Sequence, residues 1–328
     1  MEPNQSLPIN QTEYKTLTRD AQWIGTALLL VLALSAIGGM LFPPLLHLIW
    51  PTGEESGGVL YQAALYVLSS PFSILPAFCI AAKACNRSFQ QVLPFRAVPF
   101  LQGMGCVLLG FWGIVLGNVI SDGAEWLFPY ADENLTMMMG ASAQTPVELA
   151  AELLYICLVP AFVEEFAFRG VTLFTLRRYG DWFAILVSAL LFGVFHGNVI
   201  QLPFAFCLGV AAGYITLRTN SLWPAITLHF INNAISCLLG YFGGSVYSLL
   251  GSYTNWVLYA VWFVMGLVGW LLLRSRRATS NLQNQPQGEG TLTVGGRLLA
   301  LLKAYMLILA LLVNLIAAVI LIYPVMQP

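Results

Sequence analysis

About nine runs of apolar residues, each near the length needed to cross a bilayer, divide this chain and dictate its fold class. They lie at about 22–50, 58–82, 98–120, 146–176, 182–199, 201–217, 221–243, 254–273 and 298–325. A helix needs about 20 apolar residues to cross roughly 30 Å of hydrocarbon. Inside lipid every backbone polar group must be bonded within the protein, which leaves only helices or closed barrels as spanning structures. Composition agrees: 58% of residues are hydrophobic, 9% are charged and mean hydropathy is +0.77, whereas a soluble domain carries about 25% charged residues. This excludes an ordinary soluble enzyme, a disordered chain and a basic nucleic-acid binder, so no nucleic acid is expected as a partner. The predicted class is an all-α polytopic helical membrane protein with about eight to nine transmembrane helices, and its constant partner is the lipid bilayer.

The positions of the charges predict an orientation. Residues 1–20 are polar, and no cleavable signal peptide is visible. With the amino terminus in the cytoplasm, Lys15, Arg19, Lys83, Arg87, Arg96, Arg177, Arg178, Arg218, Arg274, Arg276, Arg277, Arg297 and Lys303 all fall on cytoplasmic segments. Glu54, Glu55, Asp122, Glu125, Asp132 and Glu133 fall on the opposite loops, which carry no Lys or Arg. That asymmetry is the positive-inside rule. The stretch 275–296, rich in Gln, Asn, Gly and Ser, reads as a flexible linker before a last, peripheral helix. Gly209 and Gly213 form a GxxxG that predicts close helix packing. The six cysteines form no CxxC pair and read as buried small hydrophobes, not as a disulfide or zinc framework.

Ionisable residues inside the spans carry the functional signal. The fourth run holds Glu164, Glu165 and Arg169. Each charge near a helix centre costs about 2.5–3.5 kcal/mol on insertion scales, so these three must be paired, neutralised or hydrated. Glu165 and Arg169 are spaced i,i+4 and share a face. Glu164 points about 100° away and lacks that partner, which suits a carboxyl whose ionisation is tuned for general-base work. The helix start is legible as the capping box Thr145-Pro146-Val147-Glu148, and Gly180 is a plausible stop. Pro160 deprives the Ile156 carbonyl of its usual donor and predicts a kink beside Glu164.

Phe192 and His196 share one helix face, and His229 and Asn233 share another. Counted from the cytoplasmic rim, Glu164, His196, His229 and Asn233 fall at about 12–21 Å. An acid, two imidazoles and an amide are thus expected in one layer of the membrane. Each element has a bland alternative: a structural ion pair at Glu165 and Arg169, a core histidine at His196, and interhelical glue at His229 and Asn233. His47, near the outer end of the first run, reads as an interfacial residue.

Together, Glu164-Glu165-Phe-Ala-Phe-Arg169, Phe192-Gly-Val-Phe-His196 and His229-Phe-Ile-Asn232-Asn233 resemble the EExxxR, FxxxH and HxxxN motifs of the CPBP family. This is the Rce1-like group of CAAX protease and bacteriocin-processing intramembrane glutamic endopeptidases. The resemblance covers about residues 145–242. It divides the chain into a polar terminus (1–20), amino-terminal helices (21–144), a protease-like core (145–242), a further helix (243–274), the linker (275–296) and a final transmembrane helix (297–328).

The resemblance implies that Glu164, helped by His196, polarises water for attack on a peptide carbonyl. It implies that His229 and Asn233 bond the oxyanion, that Glu165 with Arg169 holds the site's shape, and that Phe192 packs beneath His196. It implies no cofactor, with zinc held by two His and a Glu as the competing reading. The expected partner is a peptide or protein substrate at the membrane, and the expected setting is a bacterial plasma membrane. The alternatives are a noncatalytic scaffold or bacteriocin self-immunity protein using the same cavity, and a proton-coupled transporter.

Overall fold

The computed structural model describes residues 11–51, 58–131, 143–274, 292–320 and 322 of 328, without the side chains of 245–247. Glu54, Glu55, Asp132, Glu133 and most of the 275–296 linker therefore lie outside the described residues. The described secondary structure is helical. In chain order the helices are α1 (Gln11–Ile49), α2 (Val59–Ala84), α3 (Phe89–Val92) and α4 (Phe100–Leu127). There follow the long rod α5 (Pro146–Tyr179), α6 (Asp181–Phe195), α7 (Gln201–Thr219), α8 (Trp223–Leu250) and α9 (Thr254–Arg274). The last two are α10 (Val294–Leu302) and α11 (Tyr305–Ile320).

Among the described residues seven helices are long and apolar enough to span, or eight if α10 and α11 count as one span bent by 74°. The fifth apolar run is the exception to the expected series. Its helix α6 has 15 residues and rises about 22 Å, short of the roughly 30 Å hydrocarbon core. It ends at a turn in which Gly197 takes φ +59°. The buried Asn198 closes that turn by accepting from the Ile200 and Gln201 amides at 2.7 and 3.1 Å. His196 is thereby held at the mouth of a short helix.

Helix α5 is the centre of the fold, packed by α2, α6, α7 and α8. Its start is the expected capping box: the Glu148 amide donates to Thr145 Oγ1 at 3.3 Å and the Thr145 amide to Glu148 Oε2 at 2.9 Å. Its stop is Gly180 at φ +127°. Between them, a π-helical stretch at Leu153–Leu158 precedes Pro160, and a second π stretch covers Phe166–Thr172. A π turn absorbs the missing proline donor by shifting the ladder by one residue, and such turns recur at functional sites.

The final helix lies at the edge of the bundle, with Leu312, Ile316 and Ile320 exposed, and packs through one face on α1. Helix α11 crosses α1 so closely that a Cβ on Gly25 would lie 2.2 Å from the Leu307 amide nitrogen. Ala300, Ala304, Leu307 and Ala310 are buried there in the main core. The small-residue contact expected at GxxxG is found between α7 and α6, where a Gly209 Cβ would meet Ala189 at 3.0 Å.

Within the polar amino-terminal segment, helix covers the described residues from Gln11 on, and Asp20 is fully buried. Asp20 accepts from Arg178, from the Tyr179 hydroxyl at 2.9 Å and from Arg19 at 3.2 Å. Pairing is what makes its burial tolerable. Just beyond α2, burial and then the nearby Asp20 push the Cys85 thiol up to about 12, which leaves it inert. The lattice of small residues makes a clear prediction. Gly25→Ala forces a Cβ into the α11 backbone and should cost about 1–3 kcal/mol. Gly39→Ala meets nothing within 4 Å and should leave stability unchanged or slightly raised. Thermal unfolding of both variants in detergent checks this.

Candidate functional site

The site is assembled on α5, α6 and α8. Glu165 and Arg169 form the expected pair on α5, with Arg169 Nη1 donating to Glu165 Oε1 at 2.9 Å and both side chains essentially inaccessible. The sequence left unseen a third partner: His229 Nδ1 on α8 lies 2.9 Å from that same Glu165 oxygen. His229 Nε2 then faces Glu164, 3.9 Å from Oε2. The imidazole therefore stands between the two carboxyls. Glu164 interacts with Arg169 only at longer range and shares His229 with Glu165.

Phe192 organises the other wall. The Arg169 guanidinium lies 4.1 Å above its ring, a cation–π contact in a water-poor setting. The His196 and His229 rings meet it edge-on at centroid separations of 4.9 and 5.8 Å. His196 Nδ1 is 2.8 Å from the Phe192 carbonyl. A carbonyl only accepts, so Nδ1 carries the proton and Nε2 of the neutral ring is free to accept. Glu164, His229 and Arg169 all lie within electrostatic reach of His196.

Asn233 carries a contact that its spacing did not announce. Its Nδ2 donates to the Ile156 carbonyl at 2.9 Å, the carbonyl that Pro160 leaves without a donor. Asn232 donates to Asn233 Oδ1 at 3.0 Å and so fixes the amide's orientation. Asn233 ties α8 to the first π turn of α5 and keeps a second N–H for another acceptor. Tyr66 on α2, which sequence reasoning missed, is close enough to Glu164 to interact electrostatically and lies 5.8 Å from the Tyr155 ring. A lone tyrosine in an apolar run gave no signal. His47 is exposed near the end of α1.

The residues that flank the site explain its fit. A Cβ on Gly209 would come within 3.2 Å of Arg169 Nη2, so the glycine makes room for the guanidinium. Ser188 on α6 donates to the Phe168 carbonyl at 2.7 Å across the second π turn. Arg169 Nε and Nη2 and Glu165 Oε2 are buried with no hydrogen-bond partner among the described residues. Each such polar atom is costly to bury unless water reaches it. A zinc site would need donors converging at about 2.0–2.2 Å. Among the described residues no three His, Cys, Asp or Glu side chains are so grouped.

Residues 146–235 match the family Rce1-like, described as type II CAAX prenyl endopeptidase Rce1-like. The matched segment is a little over a quarter of the 328-residue chain and contains every motif position named above. No curated protein and no solved structure matches the chain. The run of apolar helices makes this an integral membrane protein, and its residues 146–235 are similar to the Rce1-like family.

The buried pair should be strongly coupled. Arg169→Met leaves the Glu165 carboxylate buried without its cation and should cost about 3–5 kcal/mol. The double variant Glu165→Gln with Arg169→Met should lose clearly less than the sum of the singles. Unfolding midpoints of the three variants in detergent test both statements.

Proposed function

We propose that the chain is an intramembrane endopeptidase that hydrolyses a peptide bond of a membrane-associated substrate through a glutamate-activated water. The observation that carries this reading is His229 standing between two carboxyls, with Nδ1 bonded to Glu165 and Nε2 turned toward Glu164. A separation of 3.9 Å is beyond direct bonding but one water can bridge it.

In this reading Glu164 takes a proton from the water as its oxygen attacks the carbonyl carbon. His196 Nε2 accepts the water's other hydrogen and orients it. Glu165 holds the His229 ring through Nδ1, as a buried carboxylate orients histidine in a serine protease triad. A proton on His229 Nε2 is then donated in a hydrogen bond to the oxyanion, and the free N–H of Asn233 is a second donor. Preorganised donors of this kind are worth about 3–4 kcal/mol each. The tetrahedral intermediate collapses as the C–N bond breaks, and Glu164 returns its proton to the leaving amine. Phe192 keeps both rings at their angles. No step is routed through a metal. The setting is proposed to be a bacterial plasma membrane with the amino terminus in the cytoplasm, an orientation that rests on the distribution of Lys and Arg.

The test uses purified protein and a library of membrane-anchored peptides. Glu164→Gln and His196→Ala should each lower turnover by about 10²–10⁴-fold, the usual worth of general acid–base catalysis. Their unfolding midpoints should stay near that of the wild type. A strong zinc chelator should change nothing. Turnover retained by Glu164→Gln overturns the mechanism, and loss to the chelator with rescue by zinc replaces it with metal-assisted hydrolysis. Full cellular function of an inactive Glu164→Gln protein would favour the scaffold or immunity role.

A further inference from the structure

The fold brings together one pair of nucleophilic side chains that this reaction does not use. Cys157, in the first π turn of α5, and Cys237, on α8, hold their sulfurs 3.5 Å apart although 80 positions separate them. Both are buried, and both are free thiols. A disulfide needs the sulfurs at about 2.05 Å, so a closing movement of about 1.5 Å joins them.

We propose that Cys157 and Cys237 are a reversible disulfide site that staples α5 to α8 beside the catalytic layer, with a membrane quinone as oxidant. The position gives the bond its consequence. Ile156, next to Cys157, accepts the hydrogen bond from Asn233, one turn before Cys237. The covalent link would therefore span the same two helices as that hydrogen bond and hold them when it breaks. On oxidation each thiol gives up one proton and one electron as the Sγ–Sγ bond forms. The quinone takes up both protons and both electrons and leaves as the quinol. An apolar oxidant is required by the location: the pair sits on spanning helices, and Cys237 is flanked by the exposed Ser236 and Leu238. A charged soluble oxidant such as glutathione disulfide does not enter that layer.

The experiment uses the full chain in phosphatidylcholine liposomes, treated with tetramethylbenzoquinone, then denatured and labelled with a heavy maleimide. Of the six cysteines, all should react before oxidation and two fewer after it. Peptide mass mapping should find the link between Cys157 and Cys237. The unfolding midpoint should rise by several degrees, because a long closed loop restricts the unfolded chain. A permeant dithiol should reverse both changes. Cys157→Ser and Cys237→Ala should each abolish the response, and Cys106→Ser should keep it. Six reactive thiols after oxidation, a link at another pair, or a bond that leaves the midpoint unmoved overturns the proposal. These readouts need no substrate, so their failure is distinct from failure of the protease reading.

Discussion

The ion pair between Glu165 and Arg169, closed by His229, is the constraint on which the rest depends. Both members are fully buried in a bundle surrounded by lipid. A lone charge there is so costly that the pair cannot separate without unfolding the helices around it. Everything in contact is shaped to keep it closed. Gly209 clears space for the guanidinium, Phe192 lies under it, and the second π turn sets its height on α5. The same pair orients the imidazole whose other nitrogen faces Glu164. Stability and candidate chemistry thus share one group of atoms.

A second device is built around a missing hydrogen bond. Proline 160 frees the Ile156 carbonyl, and the chain answers in two ways. The backbone relaxes into a π turn, and Asn233 reaches across from α8 to donate to that carbonyl. An unsatisfied carbonyl in hydrocarbon would cost several kcal/mol, so the asparagine locks the helix pair in register. The HxxxN spacing therefore serves two ends: it sets His229 against the carboxyls and ties its helix to the segment that carries them.

At the end of the bundle where the chain enters, the charges are arranged differently. Asp20 is buried, and Arg19, Arg178 and Tyr179 gather on it. This cluster fixes α1 to the end of α5. Helix α11 is then fixed to α1 through Gly25 and the alanine row at Ala300, Ala304 and Ala310. The last helix is joined to α1 by close packing, which is how helices associate when lipid removes the hydrophobic drive between them, and by the Met306 amide donating to Gln22 Oε1 at 2.8 Å.

The fold class was legible because spanning length and hydrophobicity act locally, residue by residue. The capping box, the Gly180 stop and the i,i+4 pair were legible for the same reason: each depends on fixed helical spacing. The motif residues were legible from their spacing along single helices. Other features depended on the rotation of one helix about its axis relative to another, which no spacing encodes. These include His229 binding Glu165, Asn233 capping the carbonyl freed by Pro160, the burial of Asp20, the contact of Cys157 with Cys237 and the seat of α11. The sequence by itself determined which helices form and which polar groups they must hide. Only the tertiary structure decided which groups meet, because the cost of a buried charge is met by whichever partner the packing brings within about 3 Å.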